Sequence, residues 1–129
     1  MSYGTSITLD APFAQTVTRV REALKEQGFG VLTEIDMRVA MREKLGVEIE
    51  DYLVLGACNP PLAYRALGVD RSIGLLLPCN VVVRAAHGRT VVEALDPQVM
   101  VTLTAEPAIT PIAEEASRRL RQALDSLAS

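Results

Sequence analysis

The chain has 129 residues, 49% of them apolar but only five aromatic, and a net charge of −3 at pH 7. That length suits a single domain, 1–129, with a core of Leu, Val, Ile and Ala that buries roughly two-thirds of the unfolded surface. Basic and acidic residues are interspersed, which argues against the clustered Lys and Arg of a nucleic-acid footprint.

No secretory signal is expected, because MSYGTSITLD lacks a charged start and an apolar h-region. The apolar run 73–83 is about half the ~20 residues of a membrane span, and Pro78 and Asn80 interrupt it. A soluble, cytoplasmic protein follows, with no membrane partner. Its two cysteines, Cys58 and Cys79, are expected to be reduced in that compartment.

Ser6 to Leu9 predicts a short strand, with Ile7 and Leu9 on one face. Asp10 is read as the cap of a following helix and Pro12 as part of its first turn. Phe13, Val17, Val20 and Leu24 then recur on one helical face until Gly28 ends the helix. Phe29 to Ile35 is the second predicted strand. Asp36 caps a short helix from Met37 to Leu45, closed by Gly46. Glu34 and Asp36 stand two apart, so an extended backbone puts both carboxylates on one face, as an acid/base pair would need. The plainer assignment, Asp36 as cap and Glu34 in solvent, is preferred because caps are common.

Tyr52 to Ala57 is a third strand that delivers Cys58 to a junction. Asn59 is a strong N-cap and Pro60 suits the first helical position, so a short helix is expected over 61–67, closed by Gly68. Ile73 to Leu77 is read as a fourth strand, broken by Pro78. Cys79-Asn80 then leads into Val81-Val82-Val83, a hairpin tip at His87-Gly88 and a return strand from Thr90 to Leu95. The stretch 97–104 suits a short helix or an irregular turn. Thr110 caps a last helix, begun by Pro111, with an apolar stripe of Ile112, Ala116, Leu120, Leu124 and Leu127. Arg118, Arg119 and Arg121 lie off that stripe and read as a solvated face.

The one feature more specific than packing is a doubled phrase, Ala57-Cys58-Asn59 and Pro78-Cys79-Asn80, at two strand junctions. Cys58, Asn59, Cys79 and Asn80 are the candidate ligand-binding residues, with Cys58 and Cys79 the candidates for catalysis or metal ligation. As a binding module, the junction would hold a small anion or small molecule on backbone N–H groups, or a soft metal such as Cu(I) on two thiolates. Zinc wants four ligands and would have to be shared across a dimer. His87, at a hairpin tip, reads as a turn residue. As a thiol redox or sulfur-transfer enzyme, Cys58 would be the nucleophile, its pKa lowered by the helix N-terminus, and Cys79 the resolving thiol. The plainest alternative is a structural or regulatory protein whose cysteines are small, inert core residues. No cofactor is specified.

The element order suggests an α+β fold, an antiparallel sheet packed with helices. Leu75 to Leu77 and Val81 to Val83 are apolar without alternation, as in sheets covered on both faces. With few helices available to do so, a second copy is the natural cover, and a symmetric homodimer is expected.

GFGVLTEIDM (28–37), EKLG (43–46), LGACNPPLAYRAL (55–67) and GLLLPCNVVV (74–83) are similar to the hallmark phrases of the domain of unknown function 302 family, DUF302. The resemblance runs nearly end to end. It implies one α+β domain with a TATA-binding-protein-like β-α-β(4)-α arrangement and extra short helices, usually dimeric, in bacteria and archaea. It implies no particular activity, and the architecture does not imply DNA binding, because function lives in a site.

Overall fold

The computed structural model of the chain describes residues 1–128. Five strands form one sheet: β1 (Gly4–Leu9), β2 (Gly30–Asp36), β3 (Tyr52–Cys58), β4 (Cys79–Ala86) and β5 (Arg89–Leu95). Every pairing is antiparallel, in the order β1-β5-β4-β3-β2. Five α-helices join them: α1 (Phe13–Glu26), α2 (Met37–Leu45), α3 (Pro60–Val69), α4 (Gln98–Thr104) and α5 (Thr110–Ala128). Two 3-10 helices, Arg71–Leu76 and Pro107–Ile109, complete the chain. This is the expected α+β class.

Alternation along the strands sorts residues between the two faces. Leu53, Leu55 and Ala57 of β3, Cys79, Val81 and Val83 of β4, and Val92 and Ala94 of β5 are all buried against Val20 and Leu24 of α1 and Leu120, Leu124 and Leu127 of α5. The alternate positions Tyr52, Val54, Val82, Arg84 and Glu93 are only half-buried, and Asn80 and Ile35 are exposed. The sheet therefore has one covered face and one bare one. Val81 to Val83 is an ordinary alternation, not a run buried on both sides. A second hydrophobic cluster lies beyond the end of the sheet, where Leu62 and Ala66 of α3, Ile73, Met100, Ile109 and the first turns of α5 meet. Helix α5 belongs to both clusters, and its continuous apolar stripe ties them together.

Several local expectations hold. Asp36 caps α2 by accepting from Val39 N, and Gly46 ends it in the left-handed region at φ 68°. Asn59 caps α3 with Pro60 as its first residue. Others are corrected. Helix α1 starts after Pro12 without a side-chain cap, because Asp10 instead pairs with Arg89 across the sheet end at 2.6 Å. Gly68 does not close α3, which continues to Val69.

The stretch read as a fourth strand is the 3-10 helix Arg71–Leu76, started by Asp70, whose carboxylate accepts from Ser72 N. Winding sends Ile73 inward at 1% exposure and Leu75 outward at 88%. A short apolar run fits a buried strand and a buried helical turn equally well, and the tertiary packing chose the turn. Glu34 and Asp36 do not form a dyad. Glu34 pairs with Arg21 at 2.9 Å, while Asp36 is occupied as a cap. Among the described residues, no helix is long and apolar enough to cross a membrane.

Candidate functional site

Strand β3 ends at Cys58 and β4 begins at Cys79, and the two strands are adjacent. The Cα partner of Cys79 is Ala57, which places the cysteines one residue out of register, on diagonal positions of the same sheet end. In a regular ladder such neighbours point to opposite faces. Cys58 is the last residue of its strand, however, and the chain turns at once into α3. Both cysteines accordingly line one cavity. Its volume is about 30 Å³, and its walls include Phe29, Leu62, Leu77, Met100, Ile112 and Ala116. It sits where the two hydrophobic clusters meet.

Of the twelve residues around the cavity only Asn59 carries a side-chain nitrogen or oxygen. A space of this size admits one or two water-sized occupants and no organic metabolite. Cys79 is buried and Cys58 partly so, both as free thiols. Burial pushes the Cys58 thiol up, opposite in direction to what a helix N-terminus alone predicts. Cys79 is pushed up to about 11, first by burial and then by the neighbouring Cys58 charge. With both thiols pushed up by burial, they hold their protons near pH 7.

The four candidate residues do not all converge. Cys58, Asn59 and Cys79 border the cavity. Asn80 follows Cys79 on a strand and so faces the other way, into a depression on the bare sheet face beside Tyr3, Tyr52 and Glu93. The repeated phrase is thus repeated in sequence only, since Asn59 caps a helix and Asn80 is a surface strand residue. His87 occupies the hairpin tip at φ 51°, at the far end of β4 from Cys79.

Backbone groups leave no anion site at the start of α3. Pro60 and Pro61 have no N–H to offer. Leu62 N donates to the Asn59 side chain, and Ala63 N donates to Asn59 O at 2.9 Å. Neither does the cavity resemble a site for zinc, because no group of three or more His, Cys, Asp or Glu is gathered among the described residues.

Two features escaped the sequence. Gly56 lies under Pro78, the residue that leads into Cys79. Arg119, assigned to a solvated face, is half-buried and donates to Gln27 O, 92 residues away in sequence. Neither contact has a local signature, since each joins segments distant along the chain.

A five-stranded antiparallel sheet, helices on one face and a paired-thiol cavity at the sheet end define a small α+β protein with a buried dithiol pocket. The chain belongs to the family described as Domain of unknown function DUF302, whose model matches residues 5–127. It is similar to a crystal structure of an uncharacterized conserved protein DUF302 from Bacillus stearothermophilus, at TM-score 0.89 and 30% identity over 97% of this chain and 98% of that one. No curated protein matches the chain.

Proposed function

We propose that this chain is a cytoplasmic, homodimeric binding module whose ligand is a single soft, thiophilic metal ion such as Cu(I), held between Cys58 and Cys79. The observation that carries this reading is that both cysteines border one cavity of about 30 Å³ with almost no other polar lining. Soft ions accept two thiolates as a sufficient set, whereas hard ions need several oxygens and zinc four ligands. Binding replaces two thiol protons by the ion, so the bound site carries one net negative charge rather than two. That lessens the desolvation that keeps both thiols protonated, and affinity rises with pH because protons are released. The small-anion version has less support, as the donors it needs at α3 are missing or used. The thiol-redox version is weakened by the same burial, because attack requires thiolate.

The test is anaerobic titration with Cu(I) against a coloured chelator. The unsubstituted chain is expected to withdraw a single equivalent, more tightly at higher pH. The Cys58→Ser/Cys79→Ser double variant is expected to withdraw none. Equal competition by both proteins, or none by either, removes the metal reading.

The dimer rests on the bare sheet face. Tyr52, Val54, Val82 and exposed Ile35 form an apolar surface there, around the Arg84–Glu93 ion pair of 2.8 Å. A contiguous apolar patch of this kind is a usual interface, and a two-fold partner would present the same residues in return. Sedimentation at micromolar concentration is expected to give a dimer, and Val82→Glu to give a folded monomer. A monomeric parent chain would refute the interface.

A further inference from the structure

The geometry points to a second binding site next to the thiol cavity, for a small oxyanion, in the cleft bounded by Gly28, Asn59, Arg65 and Arg119. The cleft encloses about 480 Å³ at the junction of the α1–β2 turn, the start of α3 and the middle of α5. Asn59 and Leu62 border both it and the thiol cavity.

Donor chemistry carries the inference. Asn59 is 8% exposed, and its Oδ1 is used to cap α3. Its amide nitrogen has no hydrogen-bond partner among the described residues. That nitrogen is aimed at the cleft: a Cβ built on Gly28 would lie 3.0 Å from Asn59 Nδ2 and 3.5 Å from Arg119 Nη1. The two donors therefore flank bare backbone. Gly28 is required there twice over, for its φ of +83° and because a methyl would shield both donors.

Arg119 is held in place by Nε donating to Glu115 at 2.9 Å and Nη1 donating to Gln27 O at 3.1 Å. A guanidinium carries five N–H groups, so these two bonds leave three unused. Arg65 makes no hydrogen bond or ion pair among the described residues and adds a second guanidinium. Glu115 is the only carboxylate bordering the cleft, and it already accepts from Arg118 and Arg119. Positive charge and free donors both exceed what the protein's own acceptors use. Two guanidiniums and an amide suit a carboxylate or phosphate oxygen set, because charged N–H donors make the stronger hydrogen bonds.

The site uses side chains alone and requires no metal, so it stands or falls apart from the Cu(I) reading. The test is an NMR titration of the metal-free protein with inorganic phosphate, and separately with acetate, at constant ionic strength. Backbone amides of Gly28 and Leu62 and the Arg119 Nε–H signal are expected to shift together and saturate. Saturation by phosphate alone assigns a phosphate ligand, whereas equal saturation by acetate assigns a carboxylate.

Asn59→Asp keeps the capping acceptor but replaces the free donor with a negative charge, and is expected to weaken binding at least about tenfold. Arg65→Gln, at an exposed position without partners, is expected to weaken it about tenfold with the melting temperature unchanged. Absence of a saturable shift with either anion, or undiminished affinity in either variant, overturns the proposal.

Discussion

Replacing Gly56 with alanine is expected to cost about 2–3 kcal/mol and to loosen the thiol cavity, although no catalytic or ligand-binding atom is touched. Gly56 sits on β3 opposite Asn80 of β4 and Thr33 of β2. A Cβ there would overlap Thr33 Oγ1 and stand 2.8 Å from Pro78 Cγ. The threonine hydroxyl has some freedom to rotate, but the proline ring is part of the backbone that leads directly into Cys79. Relief of the overlap therefore displaces the start of β4. Alanine gains about 0.4–1 kcal/mol by restricting the unfolded chain, and this offsets only part of the strain.

Thermal or denaturant unfolding measures the loss, and the rate of Cys79 modification by a thiol reagent should rise in parallel. Gly68→Ala is the control. It lies within α3 with nothing within 4 Å of the new Cβ, and is expected to stabilise by about 0.5–1 kcal/mol. An unaltered melting temperature for Gly56→Ala would show that the sheet end yields freely.

Raising the pH from 9 to 11 is expected to destabilise the protein by roughly 2 kcal/mol through Cys79, whose thiol is raised from 9.0 to about 11 in the folded chain. Below pH 9 the thiol holds its proton in both states, and the full contribution is present. Above pH 9 the unfolded chain releases the proton, while the folded chain retains it until about pH 11. The unfolded state then binds fewer protons, so stability falls with rising pH. The loss levels off once the folded thiol also ionises.

The useful quantity is the difference between the parent chain and a variant that lacks the thiol. In Cys79→Ala the slope over this interval should shrink by nearly one proton, with Cys58 contributing only a smaller remainder in the same direction. Parallel curves for parent and variant would mean that the cavity admits water and base readily, contrary to its apolar walls. Saturation with Cu(I), if that reading holds, should abolish the slope as well, because the thiol protons are already gone.

Residues whose structural role is local were legible in the sequence. Asp36 with Gly46, and Asn59 with Pro60, announce the ends of α2 and α3 through hydrogen bonds and backbone angles spanning a few residues. The spacing of Ile112, Ala116, Leu120, Leu124 and Leu127 revealed the buried side of α5 for the same reason. Asp10 deceived because a good capping residue had a competing partner, Arg89, 79 positions later. Leu75 deceived because the short apolar run from Ile73 to Leu77 has no period long enough to separate strand from helical turn. The doubled Cys-Asn phrase drew attention to two cysteines that line one cavity, but it carried along Asn80, which lies on the other sheet face. β4 already begins at Cys79, and successive strand residues face opposite sides, so Asn80 turns away from Cys79.

The sequence by itself determined the α+β class, the capped helices, the family and the two thiols worth watching, because each of these is written in short-range patterns. Only the tertiary structure decided that the two cysteines line one apolar-walled cavity, that burial raises their pKa, and that Asn59, Arg65 and Arg119 frame a cleft beside them. Those outcomes depend on what lies across the gap from each residue, through desolvation and convergence of distant segments, and no window along the chain contains that information.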